Sequence, residues 1–137
     1  MGEYRRYEEV SVGDVFPAEP LRFAVTEEVV DGFLAATANA GGAYRAAPRR
    51  APSMIAAVYL IDLLMARRSP PGGIHAKQAI RFHRAAAVGE SLNIQARVVE
   101  KYLRKERSYV VSDFEARGAD GSLVSSGRVT SVWGRDP

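Results

Sequence analysis

Cysteine is absent from the chain. No disulfide framework can staple it, and no thiolate is available as nucleophile or metal ligand. Histidine occurs only twice, at His75 and His83. Two imidazoles eight residues apart on one strand are too far apart to share an ion, so no metal site is expected and no cofactor is implied. The start, Met1-Gly-Glu-Tyr-Arg-Arg-Tyr-Glu-Glu, has no apolar core of the kind a secretory leader needs. No apolar run reaches the length of a membrane span, since the longest holds about fifteen residues and Asp62 interrupts it. A cytoplasmic protein is the expectation. A net charge of +3 with scattered arginines gives no concentrated basic face, which argues against a nucleic-acid partner. The pairs Arg49-Arg50 and Arg67-Arg68 could still meet a phosphorylated group.

At 137 residues the chain can build one real core, and a single domain spanning 1–137 is expected. Its longest apolar stretch is Pro52-Ser-Met-Ile-Ala-Ala-Val-Tyr-Leu-Ile-Asp-Leu-Leu-Met-Ala66. This reads as a helix running to about Arg67-Arg68, hydrophobic almost all round and so buried on most sides. Val58, Ile55 and Met65 share a face with Asp62, which places that carboxylate among apolar neighbours, where it needs a partner or a raised pKa. Val58→Asp is expected to destabilise the fold by several kcal/mol. Pro52 suits the first helical position, and the two arginines suit the negative C-terminal end.

Ahead of this helix, Leu21–Val25 alternates as a first strand. Thr26 then reads as an N-cap, with Glu27 and Glu28 in the first turn of a helix to about Thr37. Gly41-Gly42 breaks that helix, and a loop of about a dozen residues follows, a length that is often functional. After Ser69-Pro-Pro-Gly-Gly73 come four β segments: Ile74–Arg84, Leu92–Leu103, Arg107–Arg117 and Leu123–Trp133. Gly118-Ala-Asp-Gly121 is a hairpin signal between the last two. In the first of these segments, period two puts Ile74, Ala76, Gln78, Ile80 and Phe82 toward the helix, and His75, Lys77, Arg81 and His83 away from it. A bulge would reverse that parity. The expected class is α+β, an antiparallel sheet around a long helix.

That order resembles the hotdog fold, and four pieces resemble its MaoC-like branch, the (R)-specific enoyl-CoA hydratases and 3-hydroxyacyl dehydratases. They are Tyr7-Glu-Glu-Val-Ser-Val-Gly-Asp14, Val25-Thr-Glu-Glu-Val-Val-Asp-Gly-Phe-Leu-Ala-Ala-Thr37, Ala51-Pro-Ser-Met54 and Ile80-Arg-Phe-His-Arg-Ala-Ala-Ala-Val-Gly-Glu-Ser-Leu92. The resemblance implies an acyl thioester substrate, on CoA or an acyl carrier protein, or a related carbonyl compound. It implies pairing with a second hotdog chain, as a homodimer or with a homologue. It also implies an oxyanion-stabilising amide at Ser53. Gln78, polar on the helix-facing side of its strand, is a candidate core hydrogen-bonder or substrate-pocket liner, and Gly42 is a further candidate substrate-binding position.

The family's catalytic loop reads roughly Thr-Gly-Asp-x-Asn-Pro-x-His, whereas this chain has Thr37-Ala-Asn-Ala-Gly-Gly-Ala-Tyr44. Asn39 stands for the Asp and Tyr44 for the His. A carboxamide cannot take a proton near neutral pH, and a phenol with a reference pKa of about 10 is a poor base. Three readings follow from this departure. The first is a hydratase/dehydratase-type lyase with Tyr44 moving the proton and Asn39 orienting. The second is a non-catalytic acyl-binding subunit of a heteromeric dehydratase. The third is a thioesterase or cyclase using Asp62 or Tyr44.

Overall fold

The computed structural model describes residues 4–37, 42–45 and 47–135. Strand β1 (Val15–Ala24) leads into helix α1 (Glu27–Ala36), a short helix α2 (Gly42–Arg45) and the long helix α3 (Ala56–Met65), which a 3-10 turn at Ser53–Ile55 precedes. Strands β2 (Ile74–Phe82), β3 (Ser91–Arg104), β4 (Arg107–Arg117) and β5 (Leu123–Val132) follow. All pairings are antiparallel, in the order β1-β3-β4-β5-β2, so β1 and β2 form the edges.

Local chemistry accounts for the boundaries. The Thr26 hydroxyl accepts from the Val29 amide at 3.1 Å, capping α1 as its sequence predicts. The turn at Gly118–Gly121 closes with Gly121 at φ +83, a conformation costly for any residue with a Cβ. β1 begins earlier than its alternating pattern suggests, at Val15. A bulge between Phe16 and Leu21 absorbs Pro17 and Pro20, which only an edge strand tolerates.

The core lies between one face of α3 and one face of the sheet. Ile55, Ala56, Tyr59, Leu60 and Leu63 pack with Leu92, Ile94, Ala96, Val110, Phe114 and Ala116. Tyr59 meets Phe23 edge-on, with ring centroids 5.4 Å apart, and its hydroxyl shares a short hydrogen bond with Ser125. Burial raises the Tyr59 phenol above its usual pKa. At the far end, Arg67 donates to the Leu64 carbonyl (3.1 Å) and the Ser131 hydroxyl (2.6 Å) and lies over the Trp133 ring. Desolvation pushes this guanidinium down to about 10. Arg67 thus caps α3 and ties it to β5, as its place at the helix C-terminus implied.

The expectation that α3 is buried on most sides does not hold for the chain by itself. Met54, Val58, Ile61 and Met65 form an exposed stripe, with Ile61 60% and Met65 72% exposed. Positions 54, 58, 61 and 65 recur at helical spacing on the face opposite Tyr59 and Leu63. Val58 and Asp62 are therefore at the surface of the chain, and Asp62 is not enclosed by apolar side chains.

β2 carries a second correction. The ladder with β5 slips between His75 and Lys77, so Ala76 is the extra residue of a bulge. Past it, Gln78 sits opposite Val129, Ile80 opposite Gly127 and Phe82 opposite Ser125, all on the side of α3 as expected. Before it, His75 pairs with Ser131, the residue that Arg67 touches, so His75 also lies on the α3 side and Ile74 is turned away. His83 stays on the other side, with Nε2 2.8 Å from the Ser126 hydroxyl.

Candidate active site at the start of the long helix

The approach to α3 is held by backbone pairing. The Ala51 amide donates to the Ala86 carbonyl (2.8 Å), and the Val88 amide donates to the Arg49 carbonyl (3.0 Å). Pro52 is buried, and the Ser53–Ile55 turn opens the helix with Ser53 exposed. Among the described residues no side chain caps this end, in contrast to the Thr26 cap of α1. The first amides of any helix lack an intrahelical acceptor, and the helix dipole adds positive potential there. An uncapped, accessible helix start is thus suited to an oxygen that gains negative charge.

The preceding loop is organised by Arg49, whose side chain is only 15% exposed. Its Nε donates to the Tyr44 carbonyl at 2.8 Å, and its Nη2 is bound to the Asp31 carboxylate. Its Nη1 lies 3.7 Å from Glu27, and Arg45 reaches Asp31 at 3.2 Å. The Arg49 hydrogen bond is the chief reason that the Asp31 carboxyl sits below its usual pKa. One guanidinium therefore joins α1, α2 and the segment entering α3. Tyr44, half-buried, packs against the core beside this junction, and Gly42 opens α2 at the surface. Asn39 lies outside the described residues.

The remaining candidates fall elsewhere. Asp62 is nine residues beyond Ser53, about 13 Å along the helix, on the open face of α3. Gln78 is exposed on edge strand β2, on the α3 side. A groove of about 570 Å³ runs past the C-terminal end of α3, lined by Ile61, Met65, Arg68, Ile74 and His75. A larger concavity of about 880 Å³ lies across the opposite face of the sheet. There Arg128 forms a two-pronged pair with Asp113 (2.7 and 3.1 Å), far from the helix start. No cluster of metal-ligating side chains occurs among the described residues.

Sequence reading missed Arg49 and Asp31 as a junction and placed His75 on the wrong side. Glu27 and Asp31 are one turn apart on α1, which hinted at a shared cation. Nothing in the sequence said that Arg49 would supply it.

The chain has the hotdog fold. It superposes on a monoamine oxidase regulatory protein from Archaeoglobus fulgidus with a TM-score of 0.80 at 19% identity, over 100% of this chain and 99% of that one. It matches the R-hydratase PhaJ1 of Pseudomonas aeruginosa with a TM-score of 0.78 at 22% identity, over 95% and 86%. The HadBC complex of Mycobacterium tuberculosis, a 3R-hydroxyacyl-ACP dehydratase, matches with a TM-score of 0.69 at 19% identity, over 90% and 96%. No family model and no curated relative matches the sequence. Several solved neighbours are thus (R)-hydratases and MaoC-like or hydroxyacyl dehydratases at low identity, a likeness that establishes the fold.

Proposed function

We propose that residues 1–137 form a single MaoC-like hotdog domain of the hydratase/dehydratase type. Its substrate is an acyl thioester, on CoA or an acyl carrier protein, or a related carbonyl compound. The observation that carries this reading is the uncapped start of α3 at Ser53, beside a loop that Arg49 clamps in place. There the substrate carbonyl takes the Ser53 amide, and the developing oxyanion is stabilised by a preorganised donor. Tyr44 moves the proton, Asn39 orients the reacting group, and Gly42 and Gln78 line the substrate path. No helix among the described residues is long and apolar enough to cross a membrane, and we place the protein in the cytoplasm.

The domain works with a second hotdog chain. Met54, Val58, Ile61 and Met65 leave an exposed apolar stripe along α3 of a single chain, and Phe82 on β2 is also exposed. Contiguous exposed apolar surface of that kind marks an interaction site. This observation also supports the second reading, an acyl-binding subunit whose homologous partner carries the missing Asp and His. A thioesterase using Asp62 has less support, because Asp62 is about 13 Å along the helix from the Ser53 amide.

Turnover by the purified protein tests the proposal, read as loss of the conjugated thioester absorbance of an enoyl-CoA. Tyr44→Phe is expected to lower kcat by roughly 10²–10⁴-fold with KM nearly unchanged, the usual range for an acid–base group. Asn39→Ala is expected to cost less, since it removes a hydrogen bond worth about 0.5–1.5 kcal/mol. If neither change alters turnover, alone or with a homologous partner, the loop is not the reactive side of the pocket.

A further inference from the structure

The far end of α3 gathers groups that take no part in chemistry at Ser53. Ser53 and Arg67 are about 20 Å apart along the helix axis. The groove at the Arg67 end measures about 570 Å³, a size ordinary for small-molecule sites. One wall is apolar, formed by Ile61, Leu64 and Met65. The other holds donors: Arg67, Arg68, His75 and the backbone of Gly72 and Gly73. No Asp or Glu lines the groove, and the chain has none between Asp62 and Glu90.

These donors have capacity to spare. Arg67 gives Nε to the Leu64 carbonyl and Nη1 to the Ser131 hydroxyl, and its Nη2 has no acceptor among the described residues. Arg68 is exposed, and no ion pair or side-chain hydrogen bond is seen for it among the described residues. It also holds φ +54, a conformation uncommon for a residue with a Cβ and easy for glycine. The backbone alone therefore does not account for an arginine there. The amides of Gly72 and Gly73 likewise find no acceptor among the described residues. The negative end of α3 is offset, because its last carbonyls are occupied. Leu64 accepts from Arg67 Nε, Met65 from the Arg68 amide (3.2 Å) and Arg68 from the Arg5 amide (2.9 Å). The frame around the groove is tied together. The Gly134 amide donates to Ser69 Oγ at 3.0 Å, Trp133 Nε1 donates to the Arg5 carbonyl at 2.7 Å, and a Cβ on Gly134 would collide with the Pro70 carbonyl.

We infer that this groove binds an amphiphilic carboxylate, an unbranched acyl chain with a free acid end. A planar carboxylate takes parallel N–H donors from a guanidinium, which Arg68 and the free Nη2 of Arg67 supply. The chain lies along Ile61, Leu64 and Met65, where the flexible methionine adapts to it. A phosphate head fits less well. Arg67 is half-buried over the Trp133 ring, and a dianion brought against it loses more hydration than a monoanion. The site needs neither turnover at Ser53 nor a partner chain, so it stands or falls apart from both.

Trp133, the only tryptophan, has the Arg67 guanidinium 5.4 Å above its ring, so its emission reports on an anion that engages Arg67. The full chain is titrated with decanoate below its micelle concentration, with calorimetry in parallel. Decanol supplies the chain without the charge, acetate the charge without the chain, and decyl phosphate the other head group. Decanoate is expected to bind at least about ten-fold more tightly than any of the three. Arg68→Gln changes an exposed side chain, and is expected to weaken decanoate about ten-fold while leaving decanol unchanged. Met65→Gln is expected to weaken both. The inference is overturned if decanoate gives no heat and no change in emission, if decanol equals it, or if Arg68→Gln leaves it unaltered. Decyl phosphate binding as tightly as decanoate would overturn the choice of head group. Sedimentation velocity on the same samples covers the last case: if decanoate binding disappears in step with self-association, the groove is an interface between copies and the inference falls.

Discussion

The two faces of α3 make opposite predictions for two substitutions five residues apart. Leu63 is 1% exposed and packs in the core, while Val58 is 37% exposed on the open stripe. Leu63→Ala removes buried methyl groups and leaves a cavity, at a cost of about 2–5 kcal/mol. Val58→Asp, expected from sequence to be severe, introduces a charge that can reach water. Surface substitutions of this kind cost about 0.5 kcal/mol, with a small further loss from helix propensity. With a urea slope near 2 kcal/mol/M, a value typical of small domains, the midpoint should fall by roughly 1–2.5 M for Leu63→Ala and by less than about 0.5 M for Val58→Asp. Trp133, the only tryptophan, is buried against Arg67 at the end of α3, so its fluorescence reports directly on the docked helix. The titration belongs at low concentration, since binding to any second chain adds stability by mass action. If Val58→Asp loses as much as Leu63→Ala at the lowest concentration, the faces of α3 are assigned wrongly. The open stripe, and the interface argued from it, would then fall together.

Other expectations concern the polar groups inside and around the core. Tyr59→Phe strands the buried Ser125 hydroxyl and is expected to cost about 1–3 kcal/mol, whereas Tyr59→Phe with Ser125→Ala should cost distinctly less than the sum of the singles by urea titration. Glu90 accepts from Arg84 (2.5 and 3.0 Å) and from the Ala87 amide (3.0 Å), and the Arg84 bond is the main cause that holds its carboxyl below the ordinary value. A lowered folded pKa means that this stabilisation is complete above the unfolded value of about 4.3 and is lost as pH falls through the folded one. Glu90→Gln should therefore melt lower than wild type at pH 7 and converge with it in acid. Parallel melting curves at every pH would refute the assignment.

Much of the fold was legible because local chemistry and tertiary structure agree. The Thr26 cap, the Gly118–Gly121 turn and the alternation of Leu92, Ile94, Ala96 and Val98 each point to the element that forms. Legibility failed where one residue changes a period. The bulge at Ala76 has no glycine or proline to announce it, and it moves His75 to the side of α3. The prolines of β1 hid its first half, because a sheet edge tolerates them and sequence does not say which strand is the edge. The site was legible in outline only. The resemblance sets Asn39 and Tyr44 where the MaoC-like loop has Asp and His, but the clamp on the loop is a tertiary fact. Arg49 finds Asp31 across eighteen residues of chain.

The misreading of Asp62 has a more general cause. A helix apolar on both faces specifies that water be excluded from both, without naming what excludes it. Tyr59, Leu60 and Leu63 find the sheet of their own chain, while Met54, Ile61 and Met65 do not. Sequence periodicity cannot separate these two kinds of apolar residue, because each answers to its final surroundings. The charges around them can. A stripe meant for water would carry its own mixed charges, whereas the exposed stripe of Met54, Val58, Ile61 and Met65 is accompanied on the helix by a single carboxylate, Asp62. The features that made α3 look like a finished core therefore lie, in Met54, Val58, Ile61 and Met65, on the face that its own chain leaves open.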